Sequence, residues 1–88
     1  MVCVVFSSNN CPRCEVLKQY LQDNKIKHAV RMVEEPEAQV DALMLNIYST
    51  PALVIGNNVL YPSDLFANNR LNEDTLTTFL RSNDHGTA

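Results

Sequence analysis

Residues 11–14 of this chain read Cys-Pro-Arg-Cys, and they stand at the seam between two kinds of local pattern. Before them runs Val2-Cys-Val-Val-Phe6, a short β-rich apolar stretch ended by the polar Ser7-Ser8-Asn9-Asn10. An unbroken apolar run of this kind suits a strand covered on both faces. After Cys11 the period changes. Cys14, Leu17 and Leu21 recur at helical spacing, with Val16 and Tyr20 widening the buried stripe. Pro12 fits the first helical residue, where its missing N–H is not needed and its φ is already helical. A strand, a polar loop and a helix that starts at a cysteine therefore open the fold.

The alternation continues. Asp23-Asn24 ends the first helix, and Lys27 to Val33 is a weakly patterned second strand. Glu34-Glu35-Pro36 opens a second helix, since acidic residues suit the positive helix N-terminus and proline suits its first turn. Val40, Leu43, Met44 and Ile47 follow at i, i+3, i+4, i+7, which predicts their burial on one face. Met32 and Met44 are expected to fill core gaps. Thr50-Pro51 breaks the helix, because the residue before proline avoids the helical region. Ala52 to Ile55 and Asn58 to Tyr61 read as a hairpin turned at Gly56-Asn57. An irregular stretch through Leu65-Phe66 leads to a last helix capped by Asn72, with Leu76, Phe79 and Leu80 inward. The Asn pairs at 9–10, 57–58 and 68–69 read as turns, and the tail from Ser82 to Ala88 as frayed. The order β-α-β-α-β-β-α predicts a single α/β domain over residues 1–88, a four-stranded mixed sheet with helices on both faces.

Eighty-eight residues leave room for one modest core. The net charge of −3 and the scatter of seven basic residues give no footprint for nucleic acid. The apolar N-terminal run is too short for a signal-peptide core, and no stretch approaches a membrane span. A cytoplasmic, monomeric protein is expected.

Three cysteines, at 3, 11 and 14, do not make a secreted disulfide framework. In a reducing compartment a Cys-x-x-Cys pair serves redox chemistry or a metal. Cys11 lies at a helix start, where unpaired N–H groups and the dipole favour a thiolate. Arg13 adds a positive charge and would touch a partner. Cys14, one turn deeper, can reach Cys11. The implied cycle has Cys11 attack a target disulfide and Cys14 resolve the mixed disulfide, leaving a Cys11–Cys14 bond. The alternative is a metal-binding module holding zinc or a shared iron–sulfur cluster. Zinc needs four ligands, and beyond the pair only Cys3, His28 and His85 are on offer. Cys3 reads as a buried strand residue and His28 as a partly exposed one. Thr50-Pro51 is either a helix stop or a cis proline facing the active-site helix, which would leave the Thr50 backbone to pair with an extended substrate.

The Cys-Pro-x-Cys at 11–14 after a strand, Thr50-Pro51 before an apolar strand and the order of elements together resemble glutaredoxin, over residues 1 to about 82. The resemblance implies a thioredoxin-like fold, Pro51 in cis, Cys11 as nucleophile and Cys14 as resolving thiol. It implies no resident cofactor beyond the redox-active disulfide, disulfide-containing proteins as substrates, and glutathione as a possible co-substrate. The departures are specific. Glutaredoxins commonly carry an aromatic residue where this chain has Arg13. Their Gly-Gly near the last strand is replaced by Tyr61-Pro62, and only Ser63-Asp64 resembles the polar residues that hold glutathione. A thioredoxin-type reductase is the other electron source the pattern admits.

Overall fold

A computed structural model describes residues 3–83. Its elements are β1 (Cys3–Ser7), α1 (Pro12–Asp23), β2 (Ala29–Met32), α2 (Pro36–Met44), β3 (Ala52–Ile55), β4 (Asn58–Leu60), α3 (Pro62–Leu65), β5 (Phe66–Ala67), β6 (Arg70–Leu71) and α4 (Glu73–Ser82). The main sheet runs β2-β1-β3-β4, with β1 parallel to β2 and antiparallel to β3. The β1-α1-β2 crossover demands that parallel pair, and the Gly56-Asn57 hairpin gives the antiparallel β3-β4 pair. Gly56 takes φ 61 at the first central position of the turn, a conformation costly for any residue with a Cβ. This is the thioredoxin-like α/β architecture.

Side-chain alternation sorts the strands into two layers. On one face Cys3, Val5, Leu53 and Ile55 pack with Leu17 and Leu21 of α1, Leu65 of α3 and Leu76 of α4. On the other, Phe6, Ala52 and Val54 pack with Ala38 and Ala42 of α2 and with Ile47. The sheet is thus covered on both sides.

Both long N-terminal helices end on the same device. Ile26 N–H bonds Leu21 C=O (2.8 Å) and Lys25 N–H bonds Gln22 C=O (3.1 Å), with Lys25 at φ 56. Ile47 N–H bonds Ala42 C=O (2.8 Å) and Asn46 N–H bonds Leu43 C=O (3.0 Å), with Asn46 at φ 61. These are Schellman caps built on Lys and Asn where glycine is usual.

The second cap corrects the expected face of α2. The helix stops at Met44, so Ile47 reaches the core from the cap and not from the helix stripe. Ala38 and Ala42 face the sheet instead, and Val40, Leu43 and Met44 are 56%, 53% and 78% exposed. Small side chains let α2 lie close to the sheet. Arg31 of β2 holds the outer edge of that contact, with its guanidinium over the Phe6 ring (5.5 Å) and bonded to Asp41 (2.5 Å). Val16 is likewise exposed, and Tyr20 packs at the core margin.

The stretch after β4 is more regular than expected. It forms the short α3 and a second hairpin, β5-β6, turned at Asn68 and Asn69 with φ 53 and 62. Asn72 caps α4 by accepting from Thr75 N–H (3.2 Å). Ser82 closes that helix. Asn83 follows as its C-cap, and residues 84–88 of the expected frayed tail, His85 included, lie outside the described residues. No helix among those described is long and apolar enough to cross a membrane.

Candidate functional site

The turn Asn9-Asn10, with Asn10 at φ 55, delivers the chain from β1 into α1, and Cys11 becomes the N-cap. Its sulfur accepts from Cys14 N–H (3.1 Å), in the position where a serine or aspartate oxygen would ordinarily cap. Pro12 occupies the first turn and Cys14 lies one turn on. The two cysteines are joined in a disulfide with Cα atoms 5.2 Å apart. They differ sharply in access: Cys11 is half-buried, whereas Cys14 is 0% exposed.

Thr50 and Pro51 meet this helix start from the approach to β3. The Thr50–Pro51 bond is cis. Thr50 Oγ1 lies 3.7 Å from Cys11 Sγ, on the donor side, and 2.6 Å from Ser8 Oγ. A chain of hydroxyls, Ser8 to Thr50, therefore ends on the Cys11 sulfur. Ser8 is a site residue that sequence reasoning missed, since a polar loop serine carries no signal until the sheet register sets it opposite Thr50.

Arg13 turns toward the β5-β6 hairpin. It hydrogen-bonds Asn69 Oδ1 and lies over the Phe66 ring at 5.5 Å from its centroid. Phe66 and Asn69 were not legible either. With Asn10, Cys11, Pro12 and Val16 they line a cleft on one side of the disulfide. A second cleft, lined by Ser8, Thr50, Val33, Leu43, Ile47 and Tyr48, shares Ser8 with the first and meets the site through Thr50.

Ser63 and Asp64 line neither of these clefts. Both are exposed on α3, and the Asp64 carboxylate accepts from Tyr61 N–H (3.0 Å), capping its own helix. Cys3 is buried, and desolvation pushes its thiol up from 9.0 to about 11. His28 is half-buried, with Nδ1 2.8 Å from Ile26 C=O. Among the described residues no three His, Cys, Asp or Glu side chains cluster as metal ligands would.

A cysteine pair bridged across the first turn of a helix, on this sheet and beside a cis proline, defines a thioredoxin-fold dithiol protein. The family model for glutaredoxin matches residues 3–60, and the chain belongs to that family: it is a dithiol oxidoreductase with a Cys11–Cys14 redox disulfide. No curated protein matches the sequence. Among solved structures, a single-residue variant of the thioredoxin-like protein BC3987 superposes with TM-score 0.72 at 24% identity, over 89% of this chain and 97% of that one. The glutaredoxin-like NrdH-redoxin from Escherichia coli gives 0.59 at 16% identity, over 69% and 82%. A thioredoxin from Thermus thermophilus gives 0.59 at 23% identity, over 92% and 72%.

Proposed function

We propose that this protein reduces disulfides in protein substrates, with Cys11 as the attacking sulfur and Cys14 as the resolving one. The observation that carries this reading is the asymmetry of the pair. Cys11 is the accessible sulfur, at a helix N-terminus, with Cys14 N–H at 3.1 Å and the Thr50 hydroxyl at 3.7 Å. Donors so placed favour the thiolate once the disulfide opens. Cys14 is 0% exposed and can reach only a sulfur already attached to Cys11. In the cycle, Cys11 thiolate attacks a substrate disulfide and expels one substrate thiolate, which takes a proton from water. Cys14 thiolate then attacks Cys11 Sγ and expels the second. The substrate gains two electrons and the Cys11–Cys14 bond re-forms.

The reductant we assign is a thioredoxin-type reductase in the cytoplasm, in preference to glutathione. Asp64, the residue resembling a glutathione ligand, is committed to capping α3, and Arg13 is held by Asn69 and Phe66. The clefts beside the disulfide expose apolar side chains, Val16 at 47% and Tyr48 at 77%, which suit an extended protein segment better than a small charged tripeptide. The glutaredoxin-like NrdH-redoxin from Escherichia coli has a thioredoxin-like activity profile, the same combination proposed here.

Insulin reduction coupled to NADPH and thioredoxin reductase tests this. The unmodified protein should turn over, Cys11→Ser should abolish activity, and Cys14→Ser should accumulate a mixed disulfide detectable by mass spectrometry. Full activity in Cys11→Ser would defeat the mechanism. Faster recharging by glutathione with glutathione reductase would reverse the choice of reductant.

A further inference from the structure

Ser7 is the one buried polar or charged residue among those described, at 0% exposure, and its hydroxyl has no hydrogen-bond partner in the disulfide form. An orphaned buried hydroxyl costs stability in the state that leaves it unpaired, and a role in another state would account for keeping it. Its place in the fold says which. On β1, Cys3, Val5 and Ser7 point to the same face. On α1, which runs back over β1, Leu21, Leu17 and Cys14 form the inner stripe, each 0% exposed. Cys3 and Val5 share one packed cluster with Leu17 and Leu21, so the two series run against each other in opposite directions. Continuing both series by one step pairs Ser7 with Cys14, and in the disulfide form the hydroxyl makes no hydrogen bond to that sulfur. The neighbours of Ser7 in the sheet are Met32 on β2 by register and, by extension of the Phe6–Ala52 pairing, the fully buried Pro51. No carboxylate, imidazole, ammonium or guanidinium is buried in this layer.

We infer that Ser7 is a positioning residue for the resolving step: its hydroxyl donates to the Cys14 sulfur when that sulfur is released from the disulfide as a thiolate. This rests on the assignment of Cys14 as the resolving thiol. In the step itself the Cys14 thiol loses its proton to water, and the thiolate then forms a bond to Cys11 Sγ as the Cys11–substrate bond breaks. The substrate sulfur leaves as a thiolate and is protonated by solvent. The cysteine pair is oxidised and the substrate reduced, while Ser7 keeps its proton throughout. Cys3, two rungs down the same strand face, shows what this layer does to a thiol that only desolvation acts on, for it is pushed up to about 11. Cys14 is likewise buried, at 0% exposure, and the Ser7 hydroxyl is a buried donor on the same face of the sheet.

A two-phase reaction with dithiobis(nitrobenzoate) reads the step directly. Attack by Cys11 on the reagent releases a first coloured thiolate, and displacement by Cys14 releases a second. A hydrogen bond to a charged group shifts an ionisation by about 1 to 2 pH units. Loss of basicity and loss of nucleophilicity partly cancel in thiolates. The second phase of Ser7→Ala should therefore be slower by about four- to fifteenfold at neutral pH. Its midpoint should move to higher pH, and above that midpoint it should overtake the unmodified protein, since its thiolate is the more basic nucleophile. Ser7→Thr, which keeps the hydroxyl, should follow the unmodified protein. The thermal midpoint of oxidised Ser7→Ala should hold or rise, because an unpartnered polar group has been removed. A second phase in Ser7→Ala that keeps the original pH profile, or slows equally at every pH, overturns the inference. So does Ser7→Thr tracking Ser7→Ala. Absence of the first release in the unmodified protein would instead defeat the assignment of Cys11 as attacker.

Discussion

Raising the pH should weaken the folded, oxidised protein through Cys3, by an amount the structure sets. Cys3 is 1% exposed, and burial lifts its thiol from 9.0 to about 11. Below pH 9 the thiol is protonated in folded and unfolded chains alike, and the native state keeps its full stability. Between about 9 and 11 the unfolded chain sheds the proton while the folded one retains it, so stability falls as pH rises through that window. A difference of about two pH units corresponds to roughly 2.7 kcal/mol, reached once the pH passes the folded value. Cys11 and Cys14 add nothing, because the disulfide does not titrate. The assay is urea unfolding followed by far-UV circular dichroism, for the oxidised protein and for Cys3→Val, which fits the same strand site without a proton to lose. With a slope of about 1 kcal/mol per molar urea for a small domain, the midpoint of the unmodified protein should drop by roughly 2 M relative to the variant between pH 8 and 11. A gap that stays constant across that range refutes the reasoning, as does alkylation of Cys3 in the folded state at the rate of a free thiol.

Two further expectations test the packing. Ala42→Leu should cost about 1 to 3 kcal/mol by forcing α2 off the sheet, whereas Met44→Ser, on the exposed face, should stay within about 0.5 kcal/mol. Thermal or urea unfolding separates the two, and the reverse order would restore the face that periodicity predicts. Asn72→Ala should lower stability by about 1 kcal/mol through loss of the bond to Thr75 N–H, measured the same way.

The strands, the crossover and the redox motif were legible because each is specified locally. Val2 to Phe6 is apolar, Pro12 and Asn72 mark helix starts, and Gly56-Asn57 marks a turn. The face of α2 was not. Two apolar sets share that helix, and the larger side chains of Val40, Leu43 and Met44 dominate any measure of periodicity. The sheet accepts Ala38 and Ala42 because it needs a close approach, which is a tertiary requirement. The helix ends at Lys25 and Asn46 were hidden for a different reason: left-handed caps there are held by backbone bonds to Leu21 and Ala42, with no glycine to announce them. At the site, the cysteines and Thr50-Pro51 carry their own signatures. Ser8, Phe66 and Asn69 do not, since each acquires its place from a partner more than forty residues away in sequence, Ser8 from Thr50 and the other two from Arg13.

The hairpin that carries Phe66 and Asn69 begins after residue 60, where the match to glutaredoxin stops. In the function proposed above, sulfur chemistry and partner contact are consequently encoded in separate stretches of the chain. The first sixty residues hold the disulfide, its helix and the cis proline. A short segment beyond them builds one wall of the cleft beside the disulfide, and it holds Arg13 of the Cys-x-x-Cys motif from outside. Such a division lets the entrance be rebuilt by changes in a surface hairpin while the reacting sulfurs keep their geometry. A lineage could in this way exchange one clientele for another without touching the bond it makes and breaks.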